Sequence, residues 1–132
     1  VTASLALAAC GDDDSSTAGD AGSRMRNGGQ QMMDAGEMMR GHAQHMMDGG
    51  ETMRDNAQAM IDAGQQMMDR GEKMGDADMT QQGQAMMDRG EAMMGDGQQM
   101  MDRGETMMSD GQDMMDGGQG MMDAGDGMMG NR

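Results

Sequence analysis

The chain has 132 residues, with 24 acidic against 9 basic side chains, a net charge of −15, 24 Gly, 27 Met, one Cys, and neither Pro nor any aromatic residue. Ordinary cores draw on Leu, Val, Ile and Phe, whereas beyond the first nine residues Ile61 is the only large apolar side chain that is not Met, so any interior must be built from thioethers. The acidic balance excludes a nucleic-acid binder, which meets phosphates with clustered Lys and Arg, and an electrostatic hold on anionic lipid; small cations are the natural charged partners.

In chain order, residues 1–9 (VTASLALAA) form an apolar run ending in small residues. It is shorter than the roughly 20 residues of a membrane span and reads as the end of a signal peptide. The tetrad Leu7-Ala8-Ala9-Cys10 that follows resembles the lipobox of bacterial lipoproteins. That resemblance implies lipidation of the Cys10 thiol, removal of the preceding peptide, and attachment outside the cytoplasm to a bacterial cell membrane. No initiator Met and no basic start precede the run, so the expectation is a chain that begins inside its signal. Cys10 has no disulfide partner within the chain, which favours lipidation over a structural thiol. Residues 10–23 continue as a small, polar, acidic stretch without periodicity, expected to be a flexible tether.

From Gly22 the sequence repeats every seven residues as Gly/Ala, Gln/Glu, x, Met, Met, Asp, x. One Met column runs without exception from Met25 to Met74, and a second frame runs from Met79 to Met128. Gln and Glu alternate between neighbouring heptads over much of the array, which makes a 14-residue unit such as GQAMMDRGEAMMGD at 83–96 and points to tandem duplication. A seven-residue apolar period is a helical signal. With the Gly/Ala column labelled a, the Met columns fall at d and e, about 50° to either side of it, giving a small-residue seam walled by thioethers. The fold class expected is therefore all-α, with long heptad-repeat helices over 24–77 and 78–132. Each Gly costs a helix interior about 1 kcal/mol relative to Ala, so a lone helix would be marginal and needs a partner. Self-association of helices through the Gly/Met seam is one answer. The Gly-rich end is expected to fray from about residue 117.

At Met74-Gly75-Asp76-Ala77-Asp78-Met79 the Met spacing falls from seven to five, which turns the stripe by about 140° at 100° per residue. An antiparallel helical hairpin turning near 75–82 accommodates that shift. A single long helix with a twisted stripe is the competing arrangement.

Thioether sulfur is a soft ligand that selects Cu(I) and, by the same softness, Ag(I). In composition the chain resembles the Met-rich copper- and silver-binding proteins of the periplasm. It departs from their motifs, because Met-x-Met and Met-x-x-Met never occur here, so a repeat-based site would need sulfurs from two helices or from unfolded chain. The segment 38–47 is the exception. There Met38, Met39, His42, His45, Met46 and Met47 include both histidines at i,i+3 and i,i+4 spacings, which can converge on one helical face and suit Cu(I), Ag(I) or, through the imidazoles, Cu(II). Against that, His42 and His45 would merely occupy tolerant polar positions, one on each side of the seam. The Asp column, for example Asp34, Asp48, Asp62 and Asp88, supplies one carboxylate per two turns and no EF-hand loop, so a solvated face is expected rather than a calcium site.

No catalytic constellation is present: there is no second Cys, no G-x-S-x-G and no phosphate loop, so the expectation is not an enzyme. Two functional classes remain in view, a membrane-anchored buffer of soft metal ions and a structural helical spacer or coiled coil of the cell envelope. A sacrificial sink for oxidants, through reversible Met sulfoxide formation, is a third.

Overall fold

The computed structural model describes residues 14–130, with side chains from residue 19 onward. The expected signal remnant and Cys10 therefore lie outside the described residues. The architecture is all-α: α1 spans Asp14–Met74, α2 spans Ala77–Gly130, and no strand occurs among the described residues. The chain reverses between the two helices, so the hairpin rather than the single long helix is the fold.

The turn shows why the reversal falls where it does. Gly75 takes a φ of 68°, a left-handed conformation that is costly for any residue with a Cβ. Its N–H donates to the Glu72 carbonyl at 3.3 Å, and the Asp76 N–H donates to the Gly71 carbonyl at 2.8 Å. This is the Schellman pattern, which satisfies carbonyls left open at the helix end. Asp76 then serves the next helix, because its carboxylate accepts the Met79 N–H at 3.0 Å as an N-cap. Lys73 in the last turn of α1 and Asp78 in the first turn of α2 also suit the helix dipoles. One residue thus closes α1 and opens α2, and the drop in Met spacing is the imprint of this two-residue connection.

Residues Glu37–Gln112 form one compact unit, in which the two helices pack antiparallel along the Gly/Ala column. The buried positions are Ala43, Gly50, Ala57, Gly64 and Gly71 on α1, and Gly83, Gly90, Gly97, Gly104 and Gly111 on α2. Every rung of the seam joins one a position to another. A Cβ placed on Gly64 would lie 2.7 Å from the Gly83 carbonyl oxygen, and one on Gly97 would lie 2.8 Å from that of Gly50. The backbones are therefore in direct contact, close enough for Cα–H···O interactions that help offset the helix-propensity cost of glycine. Ala43 and Ala57 are 0% exposed, and each faces a glycine. A Cβ on Gly104 would lie 3.0 Å from the Ala43 carbonyl oxygen, and one on Gly90 would lie 2.9 Å from that of Ala57. Such a rung has room for one methyl because its other member has none.

The described parts of Val1–Gly36 and Asp113–Arg132 form the other unit. Its rungs obey the same rule, with a Cβ on Gly22 falling 2.8 Å from the Gly125 carbonyl oxygen and one on Gly29 falling 2.5 Å from that of Gly118. Arg26 pairs with Asp126 at 3.1 Å, both more than half exposed, a contact of small energetic weight. α1 begins at Asp14, ten residues inside the stretch expected to be a tether. The helix is useful that early because Gly22 is already a buried rung, and Ala18 and Ala21 favour helix. Past residue 117 α2 stays helical through Gly130, with Gly118 and Gly125 buried in rungs. Its last turn is loosely covered: Met128 is 45% exposed, and a Cβ on Gly127 or Gly130 would meet nothing within 4 Å. Among the described residues no helix is long and apolar enough to cross a membrane.

Candidate functional site

The d and e columns flank the seam, and in an antiparallel pair the d positions of both helices share one side while the e positions share the other. The flanks use their side chains differently. On the e flank, γ-carbons close over glycines of the opposite helix. Met47 Cγ lies 2.6 Å from a Cβ built on Gly104, Met68 Cγ 2.6 Å from one on Gly83, Ile61 Cγ1 2.6 Å from one on Gly90, and Arg54 Cγ 2.9 Å from one on Gly97. Met, Ile and Arg all carry a γ-carbon, so all three serve.

On the d flank tips reach across to glycines beside the seam, while at the Gly22–Gly125 rung the Cβ atoms of Met128 and Met25 lie 3.6 and 3.2 Å from a Cβ built on the opposite glycine. Met100 Sδ lies 3.4 Å from a Cβ built on Gly49, and in the other unit Met32 Cε and Met121 Cε lie 3.3 and 3.2 Å from those on Gly117 and Gly28. Away from the turn, the d column of Glu37–Gln112 is Met39, Met46, Met53, Met60 and Met67 on α1 and Met86, Met93, Met100 and Met107 on α2, all half-buried and without a single substitution, while Met74 beside the turn is 71% exposed. Of these tip contacts one is made by sulfur and two by the terminal methyl.

The clefts follow the same division. On the d flank, Met46, Met53 and Met100 line one cavity of about 360 Å³, and Met60, Met67 and Met86 line another of about 340 Å³. On the e flank, a cavity of about 340 Å³ between Glu51, Arg54, Asp55 and Gln58 contains one thioether, that of Met94.

Within the segment 38–47, Met39 and Met46 sit at d, Met38 and His45 at c, and His42 at g, all to the d side of the seam, whereas Met47 sits at e. Both histidines therefore lie on one side of the seam, not one on each side, and Met47 is separated from the rest by its contact over Gly104. Met38 is 63% exposed, and His42 and His45 are exposed. Among the described residues no group of three or more His, Cys, Asp or Glu side chains is placed to hold a metal ion, so a metal centre here has to draw on sulfur. The residues the sequence reading did not single out are Met53, Met60, Met67, Met86 and Met100. Their signal was present in the two Gly/Ala columns, which, folded back about Gly75, align the d columns of α1 and α2.

The Asp column behaves as the solvated face expected. Gln44 donates to Asp48, Gln58 to Asp62, Gln65 to Asp69, Gln84 to Asp88 and Gln98 to Asp102, at 2.8–2.9 Å. These i,i+4 bonds run along the outer face of each helix and engage an oxygen of every one of these carboxylates. Asp76 is the departure, since it caps α2.

No family model, curated protein or solved structure matches the chain.

Proposed function

We propose that the protein is a lipoprotein, anchored through Cys10 to the outside of a bacterial cell membrane, whose Met-rich helical hairpin binds and buffers soft metal ions, Cu(I) or Ag(I). The observation that carries this reading is the unbroken thioether d flank, where side chains reach across the seam by their sulfur and methyl tips. On α1 the e column admits Arg26, Arg40, Arg54 and Ile61 where the d column admits only Met, while on α2 both columns are Met throughout from residue 86. Thioethers from two antiparallel helices also answer the objection that repeat-spaced Met on one helix cannot converge, being about 10.5 Å apart along the axis. The segment Met38, Met39, His42, His45 and Met46 adds two imidazoles to the same side.

The e flank favours a second reading, a helical spacer of the envelope in which Met is adaptable packing material. Native mass spectrometry separates the two. The full chain carrying Cys10→Ser, so that no thiol competes, is titrated anaerobically with Cu(I) and then Ag(I), beside the same chain with His42→Ala and His45→Ala. Several retained ions, at least one lost in the histidine variant, are expected. A chain that retains none is a spacer. For the anchor, wild type is expected in the membrane fraction with the added mass of a lipid on Cys10, and Cys10→Ser in the soluble fraction; equal partition of the two would overturn it.

A further inference from the structure

We infer that the d flank holds two repeat-related three-thioether cups, Met46/Met53/Met100 and Met60/Met67/Met86, each a binding site for one soft monovalent cation. The inference rests on the soft-metal reading above and specifies where the ions sit. In each cup two sulfurs come from consecutive heptads of α1 and the third from α2, and the three side chains line one cavity. The second cup is the first displaced by the 14-residue unit of the sequence: Met46 and Met53 become Met60 and Met67 along α1, and Met100 becomes Met86 along α2. Arg103 of the first cup becomes Arg89 of the second by the same step, and each lines its cavity. The two cavities share three Met and one Arg at positions related by the sequence repeat, while Asp96 and Gln99 of the first give way to Gln82 and Ala85 in the second; a recurring set of three thioethers points to a built arrangement and not a chance gap between flexible side chains.

The chemistry of the cups selects their occupant. Three polarisable thioethers suit Cu(I) and Ag(I), and carboxylate-seeking ions such as Mg²⁺ or Ca²⁺ find no oxygen cage there. The neighbouring guanidinium of Arg103 or Arg89 raises the cost of any cation held by charge alone, which counts most against a hard divalent ion. Asp96 and Gln99 line the first cup and Gln82 the second, so the first has two oxygen-bearing side chains at hand and the second one. On the e flank the cavity at Glu51, Arg54, Asp55 and Gln58 has one Met, and a single thioether does not make a site.

The test is Ag(I) binding to the full chain carrying Cys10→Ser, read by native mass spectrometry and by the methyl resonances of [13C-methyl]Met. Met→Leu is the probe substitution because it conserves volume and is well tolerated in packing while removing the sulfur. Met100→Leu is expected to lower the number of tightly held ions by one, Met86→Leu by one, and the pair by two, with helicity unchanged. Met101→Leu and Met87→Leu, their e-flank neighbours, are expected to lose none. In the parent chain Ag(I) is expected to shift the methyl resonances of the six cup residues together. If the Met86→Leu/Met100→Leu chain holds as many ions as the parent, the cups are wrong while the soft-metal reading stands. If the parent holds no ion, both fall.

Discussion

The two flanks of the hairpin seam differ in which atom does the work, and this explains which residues each accepts. On the e flank the γ-carbon closes over the opposite glycine, and Met47, Arg54, Ile61 and Met68 follow one another at successive heptads. On the d flank the tip crosses the seam, and from Met39 to Met67 no residue but Met is found. A repeat with two adjacent Met columns thus carries two roles, one satisfied by any side chain of suitable stem and one that uses the thioether itself. Beneath both lies the glycine ladder, which brings the helices close enough for either contact to be made.

The comparison breaks most completely if the ladder is opened. Gly64→Ala would set a Cβ 2.7 Å from the Gly83 carbonyl oxygen and 3.0 Å from the Met87 amide nitrogen, both backbone atoms that move only if the helices part. Overpacking of this kind costs about 1–3 kcal/mol, more than the gain of about 1 kcal/mol from replacing Gly in a helix. Urea denaturation followed by far-ultraviolet circular dichroism is the suitable measurement, since the chain has no aromatic residue to report fluorescence. An unchanged midpoint would mean that the backbones are not in contact at this rung.

Truncation at neighbouring positions compares the flanks directly. Met68→Ala removes the γ-carbon that covers Gly83, whereas Met67→Ala removes a half-buried side chain lining an open cavity. Full burial of Met makes truncation to Ala cost about 2–5 kcal/mol. Both are half-buried, which lowers the cost for each, and the contact over Gly83 keeps that of Met68 higher, at about 1–2 kcal/mol against below about 1 kcal/mol for Met67. The same denaturation experiment checks the order, and a larger loss for Met67→Ala would reverse the assignment of packing to the e flank.

Much of this arrangement is legible in the sequence, and the part that is not has a physical cause. The seven-residue column fixes the helices, the a position fixes the seam, and the shortened spacing at Met74 to Met79 fixes the reversal. Rung pairing depends on which residue takes the left-handed conformation, and several candidates lie in 75–82; Gly75 is settled only by the Schellman bonds to Glu72 and Gly71. The cups depend in turn on that pairing, because Met100 meets Met46 and Met53 only through the fold. Histidine drew attention to 38–47 as a local pattern, although the heptad register already sets Met46 at d and Met47 at e, on opposite flanks. The early start of α1 was masked by a stretch whose composition alone reads as tether, while Gly22 already sits in phase with the ladder.

Glycines away from the seam sharpen the first contrast with the opposite sign. A Cβ on Gly41 or Gly95 would meet nothing within 4 Å, and both residues are helical and exposed. Gly41→Ala is therefore expected to stabilise the chain by about 0.5–1 kcal/mol through helix propensity alone, seen as a higher denaturation midpoint. A loss of stability there would show that Gly41 faces a contact and that burial in the ladder does not separate the two kinds of glycine.

The smallest expected effect tests the division of roles most closely. Arg54 is a basic residue on the e flank, where its γ-carbon covers Gly97 and its Nη1 donates to Met101 Sδ at 3.9 Å. Arg54→Met keeps the γ-carbon and loses only an exposed charge and a weak bond to sulfur, so stability is expected to stay within about 0.5 kcal/mol of the parent, as for most surface substitutions. The variant also places a thioether beside Met101 on the e flank, extending the run of sulfur there. If position along the seam decides function, the number of Ag(I) ions held does not change, because e-flank side chains are engaged over glycines by their stems. An additional tightly held ion in Arg54→Met would show that sulfur density alone makes a site, and the distinction between the flanks would then be one of packing only.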